Sequence, residues 1–143
     1  HKNFLAKTAM VFTPAADQEE AGIALVQDDR FHYLMTLGQK EGRPALRFWK
    51  TENGKKSLLT EKEISPSKRL YLSVYGHTTG YSFYYGFDDQ EMLPLIENVE
   101  ASRLSSVVNN GFTGVYLGMY ATSNHTASRN YADFDWFCYQ GEL

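Results

Sequence analysis

Apolar and polar side chains alternate with a period of two through much of this chain. In residues 70–75, Leu, Leu and Val alternate with Tyr, Ser and Tyr, and in residues 81–86, Tyr, Phe and Tyr alternate with Ser, Tyr and Gly. Residues 30–37 place Phe, Tyr, Met and Leu at every second position, with polar residues at most of the positions between them. This period is typical of strands that bury one face, so the chain is predicted to be rich in β-structure.

Turn signals divide the chain into about nine short strands with little helix. Asn53-Gly54 is the residue pair that a two-residue hairpin turn favours, and Pro14 stops the first strand. Residues 56–64 are ambiguous, and residues 97–110 form the longest polar connection, with one or two helical turns expected within 100–107. The nine predicted strands are residues 3–12, 21–26, 31–37, 45–50, 70–75, 81–85, 92–96, 111–122 and 131–139, and the ambiguous residues 56–64 would be a tenth. Such regular spacing favours a β-sandwich or a barrel.

The last thirty residues carry the clearest strand pattern. Residues 111–122 and 131–139 alternate large with small or polar side chains, and the polar residues 123–130 connect them. They are interpreted as the closing strands of a β-sandwich.

Composition narrows the class of protein further. The 143 residues fit one domain, and a net charge of −3 gives no basic surface for nucleic acid or anionic lipid. The single cysteine, Cys138, excludes an intrachain disulfide. No apolar run is long enough to span a bilayer, so a membrane is not predicted as a partner. Nucleic acid is not predicted as a partner either, because the chain lacks a basic surface. Localisation stays open between secreted, periplasmic and cytoplasmic.

No residue pattern predicts catalysis, a cofactor or a metal centre. The four histidines are dispersed, without zinc spacing. Asp133 and Asp135 are expected on one strand face with their carboxyl groups about 7 Å apart, which any polar stripe produces. Pairing with Arg103 or Arg129 is the favoured interpretation of Asp135, and a structural calcium ion is its alternative.

Carbohydrate binding is the remaining function that the residue types suggest. Sugar rings stack on exposed aromatic side chains, and Trp49, Tyr84 and Trp136 are the candidates, beside Tyr71 and Tyr75. Core packing is the alternative for each of them.

An ordered set of segments resembles the C-terminal concanavalin A-like domain of glycoside hydrolase family 43, the β-xylosidases and α-L-arabinofuranosidases. The strand that ends Phe12-Thr13-Pro14 is similar to the family strand ending Phe-x-Pro. Further similar segments are residues 20–27, 31–34, 70–74, 81–85, 111–122 and 132–137. Two features differ: the family's turn with a Trp is here Asp88-Asp89-Gln90-Glu91-Met92, and the family carries several dozen residues, including strands, before the point matching His1.

The resemblance implies an all-β, jelly-roll type antiparallel sandwich formed by residues 1–143 as one domain of a longer glycosidase. Because first strands of the family domain would be missing, a partner strand or a smaller sheet is expected. The implied partners are a catalytic five-bladed propeller and hemicellulose-derived sugars, and a homo-oligomer stays open.

The resemblance also implies a role for Phe112, within Gly111-Phe112-Thr113-Gly114. The family places an aromatic ring from this loop at the substrate pocket, where it helps to close the pocket. Packing of Phe112 on its own core is the alternative. The main functional hypothesis is therefore an accessory module, non-catalytic alone. A free-standing carbohydrate-binding module and a structural interaction domain are the other two.

Overall fold

Ten antiparallel strands make up the part of the chain that the computed structural model describes, namely residues 3–28, 30–65, 69–77, 80–88, 90–100, 116–124, 130 and 132–142. They are β1 (Asn3–Val11), β2 (Glu20–Asp28), β3 (Phe31–Lys40), β4 (Arg43–Glu52), β5 (Lys55–Glu63), β6 (Leu70–His77), β7 (Gly80–Gly86), β8 (Leu93–Glu100), β9 (Tyr116–Thr122) and β10 (Asp133–Glu142). The described residues contain no helix long and apolar enough to cross a membrane.

The strands form two sheets of five. Sheet 1 has the order β10-β1-β6-β7-β8, and sheet 2 has the order β5-β4-β3-β2-β9. This arrangement confirms the predicted antiparallel sandwich. The hairpin turn predicted at Asn53-Gly54 is confirmed between β4 and β5, and β2–β3 and β6–β7 are further antiparallel pairs of consecutive strands. Asn53 and Gly54 have φ angles of 53° and 80°, the left-handed pair that a type I′ hairpin turn requires. Residues 56–64, ambiguous in the sequence, belong to β5.

The closing strands of the chain lie at the edges of opposite sheets. β9 pairs with β2 in sheet 2, and β10 pairs with β1 in sheet 1. Alternation specifies that a strand buries one face, but it does not specify which strand lies beside it. The two segments that look alike in the sequence are therefore not neighbours in one sheet.

Strand β8 is longer than predicted. It extends from Leu93 to Glu100, so the polar residues 97–100 belong to a strand and not to a connection. The Asn98 backbone N–H donates to Ser82 Oγ at 3.0 Å, and Tyr33 Oη donates to the Glu100 carbonyl at 2.7 Å. These two contacts hold the polar end of an edge strand. Beyond residue 100, the predicted helical turns lie outside the described residues.

Aromatic rings from both sheets meet in the core. Phe48 of sheet 2 lies 4.6 Å from Phe83 of sheet 1, between ring centroids, and 5.3 Å from Tyr33. All three side chains are at most 1% exposed. Burial, with the nearby Glu100 carboxylate, raises the pKa of the Tyr33 hydroxyl far above its ordinary value. The hydroxyl therefore stays protonated and donates to the Glu100 carbonyl at any ordinary pH.

The outer face of sheet 2 carries an ion pair with unusually little exposure. Arg47 Nε donates to Glu61 Oε2 at 2.7 Å, and another guanidinium nitrogen donates to the Gln39 carbonyl at 2.9 Å. The side chains of Arg47 and Glu61 are 12% and 24% exposed. The hydrogen bond from Arg47 holds the pKa of the Glu61 carboxyl below its ordinary value.

Glu61→Gln is expected to reduce stability by ~0.5 kcal/mol at pH 7. Because the pKa of Glu61 is lower in the folded state, its contribution is full above about pH 5 and is lost as the pH falls through the folded pKa. The difference between wild type and variant should therefore shrink below about pH 4. Urea unfolding between pH 3 and pH 7 measures it.

Glu63→Gln is the matched control. Glu63 faces Arg43 at 3.7 Å on the same two strands, but these side chains are 64% and 71% exposed. This substitution should leave stability unchanged at every pH, since exposed pairs contribute little. An equal loss in both variants would contradict a specific role for Arg47.

Candidate functional site

Several predicted site residues, Phe112 and Asp135 among them, lie in or beside segments that the structure does not describe. Phe112 lies outside the described residues. Asp133 and Trp136 belong to β10, where Trp136 is opposite Ala9 and the next pair is Met10 with Phe134. The ladder therefore skips Asp135 in a β-bulge. The shared face of Asp133 and Asp135 stays a prediction.

The calcium alternative was predicted at Asp135, whose side chain lies outside the described part of the structure. Within the described ranges, no three His, Cys, Asp or Glu side chains converge as a metal site. Calcium at this position stays a prediction.

The predicted sugar-stacking residues are divided between the two sheets. Phe48 and Phe83 face the core, so the adjacent Trp49 and Tyr84 face outwards on sheet 2 and sheet 1 respectively. Trp136 is in sheet 1. Trp49 and Tyr84 therefore cannot belong to one binding platform.

Trp49 is held by contacts of its own. Its indole Nε1 donates to Glu20 Oε1 at 3.0 Å, and the Lys56 ammonium lies 4.3 Å from the ring centroid. The ammonium position is that of a cation–π contact. A sugar that stacked on that face of the indole would have to displace Lys56.

Tyr84 has aromatic neighbours on its own sheet. It is opposite Ser73 in the register, and Tyr71 and Tyr75 lie on either side of Ser73 along β6. Ser73 is only 3% exposed although it faces outwards. Tyr84 Oη donates to Glu97 Oε2 at 3.1 Å, and burial together with this carboxylate raises the pKa of the Tyr84 hydroxyl. Tyr71, Tyr75 and Tyr84 therefore lie near one another on the outer face of sheet 1.

Two buried carboxylates at the start of β2 were not predicted as site residues. The polar composition of residues 15–20 is typical of a loop, but Glu20 begins β2 and is 5% exposed. Glu19 is 7% exposed. Adjacent glutamates usually lie in solvent, so each of these carboxylates needs partners elsewhere in the fold.

Glu20 accepts three side-chain hydrogen bonds. Its Oε1 accepts from Thr36 Oγ1 at 2.6 Å and from Trp49 Nε1 at 3.0 Å, and its Oε2 accepts from Asn124 Nδ2 at 3.1 Å. The Glu20 charge, after burial, is the second cause that raises the pKa of Tyr120 on the neighbouring strand β9. The carboxylate therefore joins β2, β3, β4 and the end of β9 on the outer face of sheet 2.

The Glu19 carboxylate, like that of Glu20, accepts hydrogen bonds from groups that the fold holds in place. Its Oε1 accepts from the Ala15 backbone N–H at 2.7 Å and from Asn130 Nδ2 at 2.8 Å. Asn130 Nδ2 also donates to the Thr13 carbonyl at 2.7 Å, as Asn124 Nδ2 donates to the Gln18 carbonyl at 2.6 Å. Each asparagine thus links a glutamate to a backbone carbonyl of the β1–β2 connection.

A cavity of about 370 Å³ opens at this end of the sandwich, and we call it the end cavity. It lies where β1 and β9 end and β2 and β10 begin, so both sheets contribute to it. Its lining combines apolar, acidic and amide side chains, including Phe12, Ala121, Ala132, Glu19, Glu20 and Asn130.

The sequence of residues 1–140 matches the family described as the β-xylosidase C-terminal concanavalin A-like domain, and the chain belongs to this family. The family and the fold predicted from the sequence are both confirmed. Among curated relatives, the non-reducing end α-L-arabinofuranosidase BoGH43B of Bacteroides ovatus is 33% identical over 135 residues, which are 94% of this chain and 25% of that protein. A xylosidase/arabinosidase of Butyrivibrio fibrisolvens is 28% identical over 94% of this chain and 26% of that protein.

Solved structures show the same relationship. The Bacteroides ovatus xyloglucan PUL GH43B structure superposes with a TM-score of 0.84 at 31% identity, over 98% of this chain and 27% of that chain. The xylan β-1,4-xylosidase of Bacillus halodurans C-125 gives a TM-score of 0.84 at 20% identity over 99% of this chain and 28% of that chain, and it supports the fold. The chain thus spans about a quarter of the length of the relatives it matches.

Proposed function

We propose that this chain is the accessory β-sandwich of a family 43 glycoside hydrolase, non-catalytic alone, which packs on a catalytic propeller and helps to close its sugar pocket. The observation that carries the proposal is the family match over residues 1–140, together with relatives of which this domain is only 25–27%. In those relatives the domain belongs to a much larger glycosidase chain. Substrates are proposed from the same source: xylose- or arabinose-containing sugars of hemicellulose.

The chemistry of the buried carboxylates supports a non-catalytic role. The described hydrogen bonds of Glu20 come from a hydroxyl, an indole and an amide that are fixed in the fold. A general acid or base must instead reach a proton of the substrate. Glu20 therefore has a structural role in this proposal.

The exposure of an inward-facing residue on β9 supports the proposal that residues 1–143 belong to a longer enzyme. Met119 is opposite Ile23, which is in the core, so both residues lie on the inward side of sheet 2. Ile23 is 3% exposed, whereas Met119 is 55% exposed. An inward position with so much exposure fits a sandwich that another segment of the enzyme covers at this edge.

Phe112→Ala in the complete enzyme is expected to lower kcat/KM for an aryl xyloside about tenfold, or ~1.4 kcal/mol of transition-state stabilisation. A ring that closes a sugar pocket excludes water from the reacting bond, and alanine leaves that opening unfilled. Steady-state kinetics with the aryl xyloside measure the effect.

Two variants make this experiment specific. Phe112→Tyr keeps the ring and should keep most of the activity. Phe87→Ala removes another phenylalanine, one that is 44% exposed, and should leave kcat/KM unchanged. Unchanged kinetics in Phe112→Ala would show that the ring packs elsewhere and that the pocket role is wrong.

A further inference from the structure

We propose that the end cavity is a binding site for a neutral polyol of about monosaccharide size. The site lies on the sandwich itself, so it goes beyond the proposed accessory role and does not depend on a propeller.

The size of the end cavity fits a small ligand. Its volume of about 370 Å³ is at the lower end of the ~300–1,000 Å³ that is typical of ligand pockets. Its lining residues lie in or near the ends of four strands that belong to both sheets. A single sugar ring or a cyclitol is the class of ligand that matches this space.

The lining offers both kinds of contact that a sugar ring uses. Phe12, Ala121 and Ala132 provide apolar surface for the C–H face of a ring. Glu19 and Glu20 provide carboxylate oxygens, which accept strongly from hydroxyl groups.

The polar groups are already held in place. Glu19 Oε1 is fixed by the Ala15 backbone N–H and by Asn130 Nδ2, and both oxygens of Glu20 are fixed by donors from three different segments. A ligand that binds here loses little free energy to ordering these side chains, because the fold has ordered them.

The charges around the end cavity select a neutral ligand. Two buried carboxylates disfavour an anion. A calcium ion needs six or more oxygen ligands, but amide N–H groups of Asn124 and Asn130 point at these carboxylates. No three metal-ligating side chains converge within the described ranges. Hydroxyl groups of a neutral ligand can donate to the carboxylate oxygens without bringing a further charge into the site.

The test titrates the protein with xylose, arabinose and myo-inositol, followed by amide chemical shifts in NMR spectra. At least one polyol is expected to bind with a Kd on the order of 1 mM and to shift resonances around residues 12, 19–20 and 121. Glu19→Gln should raise the Kd about tenfold, since it replaces a charged acceptor by a neutral one.

Ala121→Leu is designed to fill the end cavity and should abolish binding. Ala121 is opposite Ala21 and faces inward, as Met119 does, but it is exposed at this edge of sheet 2, so a larger side chain can extend into the end cavity. Ser57→Leu, on β5 at the opposite edge of sheet 2, is the matched control and should bind like wild type. If Ala121→Leu lacks a cooperative thermal transition, Phe12→Leu takes its place, because it removes the ring but keeps apolar packing.

Three results would overturn the proposal. They are the absence of binding by all three polyols, binding that survives Ala121→Leu, and stabilisation by calcium chloride alone that Glu19→Gln removes, which would assign a cation site. None of them bears on Phe112, whose kinetic test in the complete enzyme stands separately.

Discussion

Phe48→Ala is expected to lower the free energy of unfolding by about 3–5 kcal/mol. The Phe48 side chain is fully buried and lies 4.6 Å from Phe83 in the opposite sheet and 5.3 Å from Tyr33 in its own. Alanine removes one of the rings that join the two sheets and leaves a cavity between them. Domains are usually stable by only ~5–15 kcal/mol, so a large share of the total is lost.

Urea unfolding measures this loss as a lower midpoint at an unchanged slope. Phe48→Leu keeps most of the volume and should cost clearly less than alanine. Phe87→Ala, in the exposed turn after β7, should change stability by less than about 1 kcal/mol. A loss in Phe48→Ala no larger than in Phe87→Ala would contradict a core built around these rings.

The strands were predictable because a period of two is a local property of the sequence. Residues 70–75 and 81–85 could be assigned to strands from their alternation, and β6 and β7 confirm this assignment. The neighbours of β9 and β10 were not predictable, because their partners β2 and β1 are about a hundred residues away along the chain. Alternation in β10 also failed to show the bulge at Asp135, where the ladder omits one residue.

The aromatic candidates show a similar limit. Trp49 and Tyr84 were selected by residue type, and type does not specify which sheet a ring belongs to. Because Phe48 and Phe83 face the core, Trp49 and Tyr84 lie on the outer faces of opposite sheets. The role of Phe112 rests on the resemblance, and no pattern of alternation or charge indicated it.

No local sequence pattern indicated that Glu19 and Glu20 would be buried. Glu20 is separated from Thr36, Trp49 and Asn124 by 16, 29 and 104 residues. A polar pair next to a loop is normally solvated, so burial of Glu19 and Glu20 follows only from tertiary contacts.

Those contacts make Glu20→Ala the second large effect, a loss of about 2–3 kcal/mol in the free energy of unfolding. The substitution leaves the fully buried Thr36 hydroxyl without its carboxylate acceptor and removes a hydrogen bond from Trp49. It also removes one of the two side-chain hydrogen bonds of Asn124, the one that ties the end of β9 to Glu20, and leaves the one to the Gln18 carbonyl. Urea unfolding monitored by tryptophan fluorescence measures the loss.

Glu20→Gln separates hydrogen bonding from charge. The amide oxygen can still accept from Thr36 and Trp49, but the amide N–H₂ would face the Asn124 Nδ2 donor. A loss of about 1 kcal/mol is therefore expected, clearly smaller than for alanine. Removing the charge should also lower the pKa of the Tyr120 hydroxyl, which Glu20 raises in addition to burial, and alkaline absorbance titration detects this change. Equal losses in Glu20→Gln and Glu20→Ala would mean that the negative charge itself, and not its acceptor geometry, stabilises this end of the sandwich.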